Sequence, residues 1–384
     1  MPPTPADRGV VTLGSPALPA LPAGQDPTTS AGPGGPTRRR FLAAGLGAIG
    51  ALAGGGLLAA CGSSSSKSAT ATTGPTAIGQ KVSPLAVQLV WIKNVQFAGS
   101  FVAQARGYYT KFGVRPDLLA GGPNTSVEPI VASGKALVGI SNPDTVASAV
   151  AAGAPLVIVA TTYQRSPFTV MSPAAKPLSS PQALVGKRVG VPVASSALWQ
   201  TFLKANKVDP ASVDQVPVQF DPQPLVIGEV DAYMGFITDE AIILQLKGFA
   251  THTFLFEDFG YHLYGDCYLV RSDTLTDAGK RATVTGFLRA EHLGWQDAVD
   301  DAALGARQAV DLSGKALGLD LHQQTLEAQA QNALVKPAGY DRTEILGMRD
   351  ADISANLATL ALSGSSSATP ALFSTSLLAD LRQA

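Results

Sequence analysis

From Pro84 onward, apolar residues follow two alternating rhythms. Short runs rich in β-branched and aromatic residues predict strands: PLAVQLVW (84–91), VRPDLLAGG (114–122), ALVGISN (136–142) and PLVIVATTY (155–163). Between them lie segments with helical spacing. In AGSFVAQARGYYTKFG (98–113), Phe101, Ala105, Tyr108 and Phe112 share one face, and Gly113 ends the pattern. SVEPIVASGK (126–135) and PDTVASAVAAG (143–153) read as shorter helices. A Pro/Ser-rich stretch, RSPFTVMSPAAKPLSSPQAL (165–184), reads as a break. The alternation then restarts. KRVGVPV, VDQVPVQF, LVIGEVDAYMGF, THTFLFEDFG and DCYLVRS predict strands, and SSALWQTFLKAN and DEAIILQLKG predict helices. Beyond Asp273 helical spacing dominates, over 278–302, 322–335 and 342–362, with a short last helix after a Ser-rich break at 363–368.

Strands alternating with helices through short turns predict mostly parallel sheets flanked by helices, an α/β chain. The restart divides it into a first lobe over 82–166 and a second over 167–264. Residues 265–384 are expected to return and complete the first lobe with helices. In open α/β sheets ligands sit beyond the carboxyl ends of the strands. Two such lobes facing each other predict a cleft for a small molecule.

The N-terminus has a different texture. Residues 1–36 are rich in Pro, Gly, Ala and Thr and predict disorder. Arg38, Arg39 and Arg40 then precede an uncharged run, 41–60, that contains six glycines. Twenty residues are long enough to span a bilayer, but this run is weakly apolar for a permanent span. A positive start, a modest apolar run and small residues before a cut site fit an export signal better than an anchor helix. TRRRFL (37–42) resembles the twin-arginine export motif, in which Arg38 and Arg39 form the address. LAAC (58–61) resembles a bacterial lipobox. That resemblance implies cleavage before Cys61 and lipid attachment to its thiol. Residues 61–81, rich in Ser, Thr and Gly, form a flexible tether. The working protein is thus expected outside the cell membrane, held to its outer face by lipid alone.

Composition narrows the chemistry. The formal net charge is −1, and loss of residues 1–60 would move it to −3, which gives no nucleic-acid footprint. With Cys61 lipidated, Cys267 has no partner for a disulfide. His252, His262, His292 and His322 show no metal-ligand spacing, and no phosphate-loop, Gly-x-Ser-x-Gly or Cys-His pattern occurs, so neither catalysis nor a cofactor is expected.

Three groups of segments are similar to periplasmic substrate-binding proteins of ABC importers. They are WIKNVQFAGSFVAQARGYYTKFGV (91–114), the stretch from VASGKALVGISNPDTVASAV to TTYQRSPF, and the run from LVGKRVGVPV through DAYMGFITDEAIILQLKG to EDFGYHLYGDCYLV. The resemblance covers roughly 85–270. It points to the group that includes binders of thiamine pyrimidine precursors and of alkanesulfonates. It implies a two-lobed type II periplasmic-binding fold, ABC permease subunits as partners and a small nutrient ligand clamped by lobe closure. A small heteroaromatic is the first expectation. An alkanesulfonate, nitrate or another small nutrient is the alternative, though an anion binder wants a close cation and only Lys93 stands near the first strand's end. Some cytosolic relatives of this fold instead make the thiamine pyrimidine, using a cysteine cluster that this chain lacks.

Placed on that fold, several residues reach the expected cleft rim. Trp91, Asn94 and Phe97 follow the first strand and offer ring faces and an amide; the competing reading of the rings is core. Gly121 and Gly122 follow the second strand, either letting backbone approach a ligand or forming an ordinary turn. Ser141 and Asn142 end the third strand, as ligand donors or as helix caps. Ser195 and Trp199 open a second-lobe helix. Asp239 and Glu240 follow AYMGFIT, either facing a ligand or favoured by the helix dipole. In the resembling pyrimidine-precursor binders an acid in the second lobe contacts the ring, and Glu240 matches it best. Tyr261 and Tyr264 lie where the chain recrosses, to stack on a ring or to pack a hinge.

Overall fold

The computed structural model describes residues 82–364 and 368–381. Arg38, Arg39 and Cys61, with the export and lipid-anchor expectations they carry, lie outside the described residues.

The first sheet is built from β1 (Ser83–Gln88), β2 (Val114–Leu119), β3 (Val138–Ser141) and β4 (Leu156–Tyr163). Between these strands run α1 (Ala98–Ala105), α2 (Tyr108–Lys111), α3 (Val127–Ala132) and α4 (Pro143–Ala151). The chain then crosses into a second sheet of β5 (Phe168–Pro173), β6 (Arg188–Pro192), β7 (Asp214–Val218), β8 (Ala232–Phe236) and β9 (Thr251–Leu255). Its helices are α5 (Ser196–Ala205), α6 (Gln223–Val226) and α7 (Glu240–Leu246). β10 (Gly265–Arg271) returns to the first sheet. There follow α8 (Ala278–Asp300), α9 (Ala302–Leu317), α10 (Leu321–Val335), α11 (Asp350–Leu362) and α12 (Ser376–Leu381).

The strand orders are β2-β1-β3-β10-β4 and β7-β6-β8-β5-β9. Each sheet has one strand running against the rest, and in each it is the strand that has just crossed from the other sheet. β10 pairs antiparallel with β3 and β4, and β5 pairs antiparallel with β8 and β9. β5 falls inside the Pro/Ser-rich stretch read from sequence as a break. Its residues FTVMS are all buried, and Pro167 and Pro173 bracket the strand, so the prolines mark its ends rather than a linker. The helix read over 98–113 is two helices, because Gly107 adopts the left-handed conformation (φ +71°) and breaks the pattern.

The late helices carry sharp local signals. Asp277, Asp301 and Asp320 each cap a helix by accepting a backbone N–H three residues on. α8 packs against α1 at a glycine crossing. A Cβ on Gly294 would stand 2.1 Å from the Gly99 carbonyl, so only glycine permits this approach. α10 lies against the loop after β1 and against α7, which brings the C-terminal region to the meeting place of the two sheets.

Candidate functional site

A small cavity of about 20 Å³ lies where the two halves meet. From the first sheet it is lined by Asn94, Val95 and Gln96, which follow β1, and by Tyr163, which ends β4. From the second it is lined by Phe236, Thr238 and Asp239, which join β8 to α7. Glu327 and Gln331 of α10 complete it. Such a volume has room for about one water, so a heteroaromatic solute enters only if the halves separate.

The β1 loop is held from α10. Gln324 Oε1 accepts the Val95 N–H at 2.7 Å, and Gln331 Nε2 donates to the Val95 carbonyl at 2.9 Å. The Tyr163 hydroxyl donates to Gln331 Oε1 at 3.0 Å. Asn94 accepts the Gln96 N–H and starts a single tight turn. Gln96 in turn donates to both carboxylate oxygens of Asp266 at 3.0 Å. Glu327 accepts from Gln323 and Gln324 at 2.8 and 2.7 Å. Gln324, Glu327 and Gln331 share one face of α10 at spacings of three and four, which is how one helix reaches both the loop and the cavity.

Electrostatically the site is acidic. Burial holds the Asp239 and Glu240 carboxyls well above their ordinary range, and Glu240 is raised further by Asp239 beside it. Burial pushes Asp266 up to about 7 against the lowering effect of Gln96. Burial, with the Asp239 charge, pushes Glu327 up to about 8. Among the described residues, no lysine, arginine or histidine lines the cavity.

Among the sequence candidates, the structure brings Asn94 and Asp239 to this cavity. Trp91 stands on the same loop, half-buried, with its ring 4.9 Å from that of Phe220 and inclined by 66°. Phe220 follows β7 in the second sheet, so this edge-to-face pair spans from one half to the other.

The remaining candidates sit elsewhere, each for a physical reason. Phe97 and Trp199 are core, and the Trp199 ring packs against Phe202 and Phe256. Tyr261 meets the same two rings edge-on, and Tyr264 packs near Phe373, both buried and outside the cavity lining. Glu240 is 4% exposed and folds back to accept the Phe236 N–H at 2.7 Å, so it closes the β8–α7 loop instead of lining the cavity. Gly121 and Gly122 donate backbone N–H groups to Trp91 and Val90, and a Cβ on Gly121 would stand 2.3 Å from the Leu89 carbonyl. That pair lets two loops approach. Ser141 donates to Glu128 at 2.5 Å, and Asn142 sits at the N-cap of α4. Ser195 sits at the N-cap of α5, half-buried and outside the cavity lining.

The lining residues missed from sequence are Val95, Gln96, Tyr163, Phe236, Thr238, Glu327 and Gln331. Gln96 and Thr238 were one or two positions from residues singled out. The α10 pair had one signal, a polar face on a helix expected to pack.

Two α/β halves, each with one crossing strand, and a small cavity lined from both define the periplasmic-binding-protein class of fold. The E. coli periplasmic aliphatic sulphonate binding protein SsuA shares it, with a TM-score of 0.55 at 16% identity over 73% of this chain and 86% of that one. The desulfurization enzyme DSZB shares it too, at 0.50 and 14% over 77% and 98%. At these identities the likeness concerns fold alone. Residues 94–303 match the family described as NMT1/THI5 like, and the chain belongs to that family. A formylaminopyrimidine-binding protein of Halalkalibacterium halodurans is 28% identical over 222 residues, 56% of this chain and 66% of that protein. A Haemophilus influenzae protein bearing a thiamine-biosynthesis name is 26% identical over 214 residues, 54% and 67% of the two chains. The match thus spans about two thirds of either relative.

Proposed function

We propose that the protein is the solute-binding component of an ABC import system, lipid-anchored through Cys61 on the outer face of the cell membrane, and that it captures a small heteroaromatic nutrient such as a thiamine pyrimidine precursor. The observation that carries this reading is the cavity lined from both sheets, with the β1 loop on one side and the β8–α7 loop on the other. A solute held there touches both halves and stabilises their closed arrangement, the hinge closure that periplasmic binding proteins use. The names of the two sequence relatives favour an aminopyrimidine. An alkanesulfonate, suggested by the fold neighbour, fits the site poorly, because an anion would face Asp239 and Glu327 with no cation beside it. No chemistry on the solute is proposed. Cys267 is buried, and burial pushes its thiol far up, away from a reactive thiolate.

Thermal-shift screening of the purified protein against thiamine pyrimidine precursors, alkanesulfonates and amino acids tests this. A solute present at a hundredfold over its Kd adds about 2.7 kcal/mol of stability. A shift by aminopyrimidines and none by sulfonates is expected. A sulfonate-specific shift would overturn the choice of ligand.

A further inference from the structure

We infer that the β1 loop reads one edge of the solute: a ring nitrogen that accepts beside an N–H that donates, the amidine edge of a neutral aminopyrimidine. Asn94 donates to that edge and Gln96 accepts from it. Asp266 is the positioning residue that fixes which end of the Gln96 amide is presented. This rests on the solute-binding reading above and narrows it from a heteroaromatic ring to one hydrogen-bonding edge.

Most polar groups around the cavity are already taken. Tyr163 donates to Gln331, Gln331 donates to Val95, and Glu327 accepts from Gln323 and Gln324. Asn94 and Gln96 are bonded at one end only. Asn94 Oδ1 accepts the Gln96 N–H at 3.3 Å. Its Nδ2 donates to nothing among the described residues, although Asn94 is only 8% exposed and lines the cavity. A buried amide N–H without an acceptor is costly unless something arrives to accept it. Gln96 is the mirror case. Its Nε2 donates to both oxygens of Asp266 at 3.0 Å, and its Oε1 accepts from nothing among the described residues. The tight turn that Asn94 opens, Val95–Phe97, thus offers a free donor and a free acceptor two residues apart on the cavity wall.

Asp266 imposes this order. An ionised carboxylate only accepts, so the amide that faces it turns its NH2 inward and leaves its carbonyl for the solute. Asp266 is 3% exposed, and among the described residues its carboxylate takes a side-chain hydrogen bond from Gln96 alone. Its backbone stands at φ +49° inside β10, where the chain has just crossed from the second sheet. A buried carboxylate and a left-handed residue within a strand are both unfavourable, and such outliers gather at binding sites. The opposite wall sets no order. The Thr238 hydroxyl makes no hydrogen bond among the described residues, but a hydroxyl turns to donate or to accept.

A pyrimidinone has the size and shape of the aminopyrimidine, with oxygen in place of the amino group, but it reverses the edge. Its ring N–H would meet the Asn94 N–H, and its carbonyl would meet the Gln96 carbonyl. A site that fixes both amides rejects it, since each end is left unpaired.

The test is calorimetric titration of the full protein with an aminopyrimidine and the matched pyrimidinone. It is run at about pH 8, where Asp266, raised by burial to about 7, is charged. The wild-type protein is expected to bind the aminopyrimidine roughly tenfold or more tightly. In Asp266→Asn the new amide can donate or accept, so Gln96 can turn and the preference should fall about tenfold, whereas a merely structural role would weaken both probes alike. Asparagine also tolerates the left-handed backbone, and the unfolding midpoint confirms the folded variant. Gln96→Leu leaves that backbone untouched, removes the acceptor and should weaken the aminopyrimidine about tenfold. Equal binding of the two probes, or tighter binding of the pyrimidinone, overturns the inference while leaving solute capture standing. A preference unchanged in Asp266→Asn overturns the positioning role. Failure of both probes to bind overturns the heteroaromatic reading as well.

Discussion

Gln331 is the residue through which α10 fixes the cleft loop, and its replacement by leucine gives a sharp test. Leucine has nearly the same volume and helix propensity, so α10 itself is undisturbed. What is lost is specific. Gln331 is 1% exposed, donates to the Val95 carbonyl at 2.9 Å and accepts from the Tyr163 hydroxyl at 3.0 Å. The Tyr163 hydroxyl is left buried without a partner, at about 1–3 kcal/mol, while the Val95 carbonyl keeps the Ala98 N–H. Urea unfolding at neutral pH should show this as a fall in midpoint at unchanged slope. Adding Tyr163→Phe removes one stranded group, so the double variant should be more stable than the sum of the two singles by about 1–2 kcal/mol. Strict additivity would refute the reasoning, for it would mean that the hydroxyl and the amide are not partners.

Other outcomes follow from the same geometry. Phe220→Ala removes an edge-to-face contact worth about 0.5–1.5 kcal/mol between the halves, so affinity for the bound solute should fall roughly two- to tenfold with little change in unfolding midpoint; an unchanged affinity would show that the pair plays no part in closure. The raised carboxyls of Asp266 and Glu327 bind more protons folded than unfolded, so without solute stability should decline as pH rises from about 5 to about 8, and Glu327→Gln should flatten that decline by up to one proton's worth, about 1.4 kcal/mol per pH unit. The urea midpoint across that range checks the sign, and a midpoint that rises with pH contradicts it. Cys61→Ser should leave the protein unlipidated and shed from the membrane; mass spectrometry finding wild-type Cys61 unmodified within a longer chain would refute the anchor.

The alternation of strands and helices was legible wherever one apolar run meant one element. It failed where punctuation misled. The prolines around FTVMS hid β5, which is the buried crossing strand of the second sheet. At Gly107 a single continuous helical face hid a change of backbone direction. The site was harder to read. Aromatic identity does not separate cleft from core: both readings stayed open for Phe97, Trp199, Tyr261 and Tyr264, and in the fold Phe97 lies in the core while the other three pack against buried rings. Of the adjacent acids, Glu240 was drawn inward by the Phe236 N–H and Asp239 was left facing the cavity, a choice made by loop geometry that neighbouring letters do not encode. Gln324 and Gln331 meet Val95 across more than two hundred positions of sequence, and only the fold supplies that contact.

The most direct test of the account is a crystal structure with whichever solute gives the largest thermal shift. The account predicts that the solute lies between the two halves, with polar nitrogen within hydrogen-bond distance of Asn94 or Gln96 and its ring against Tyr163 and Phe236. A solute bound at the Ser141 and Ser195 loops instead, or on the outer surface with the cavity unchanged, would contradict it.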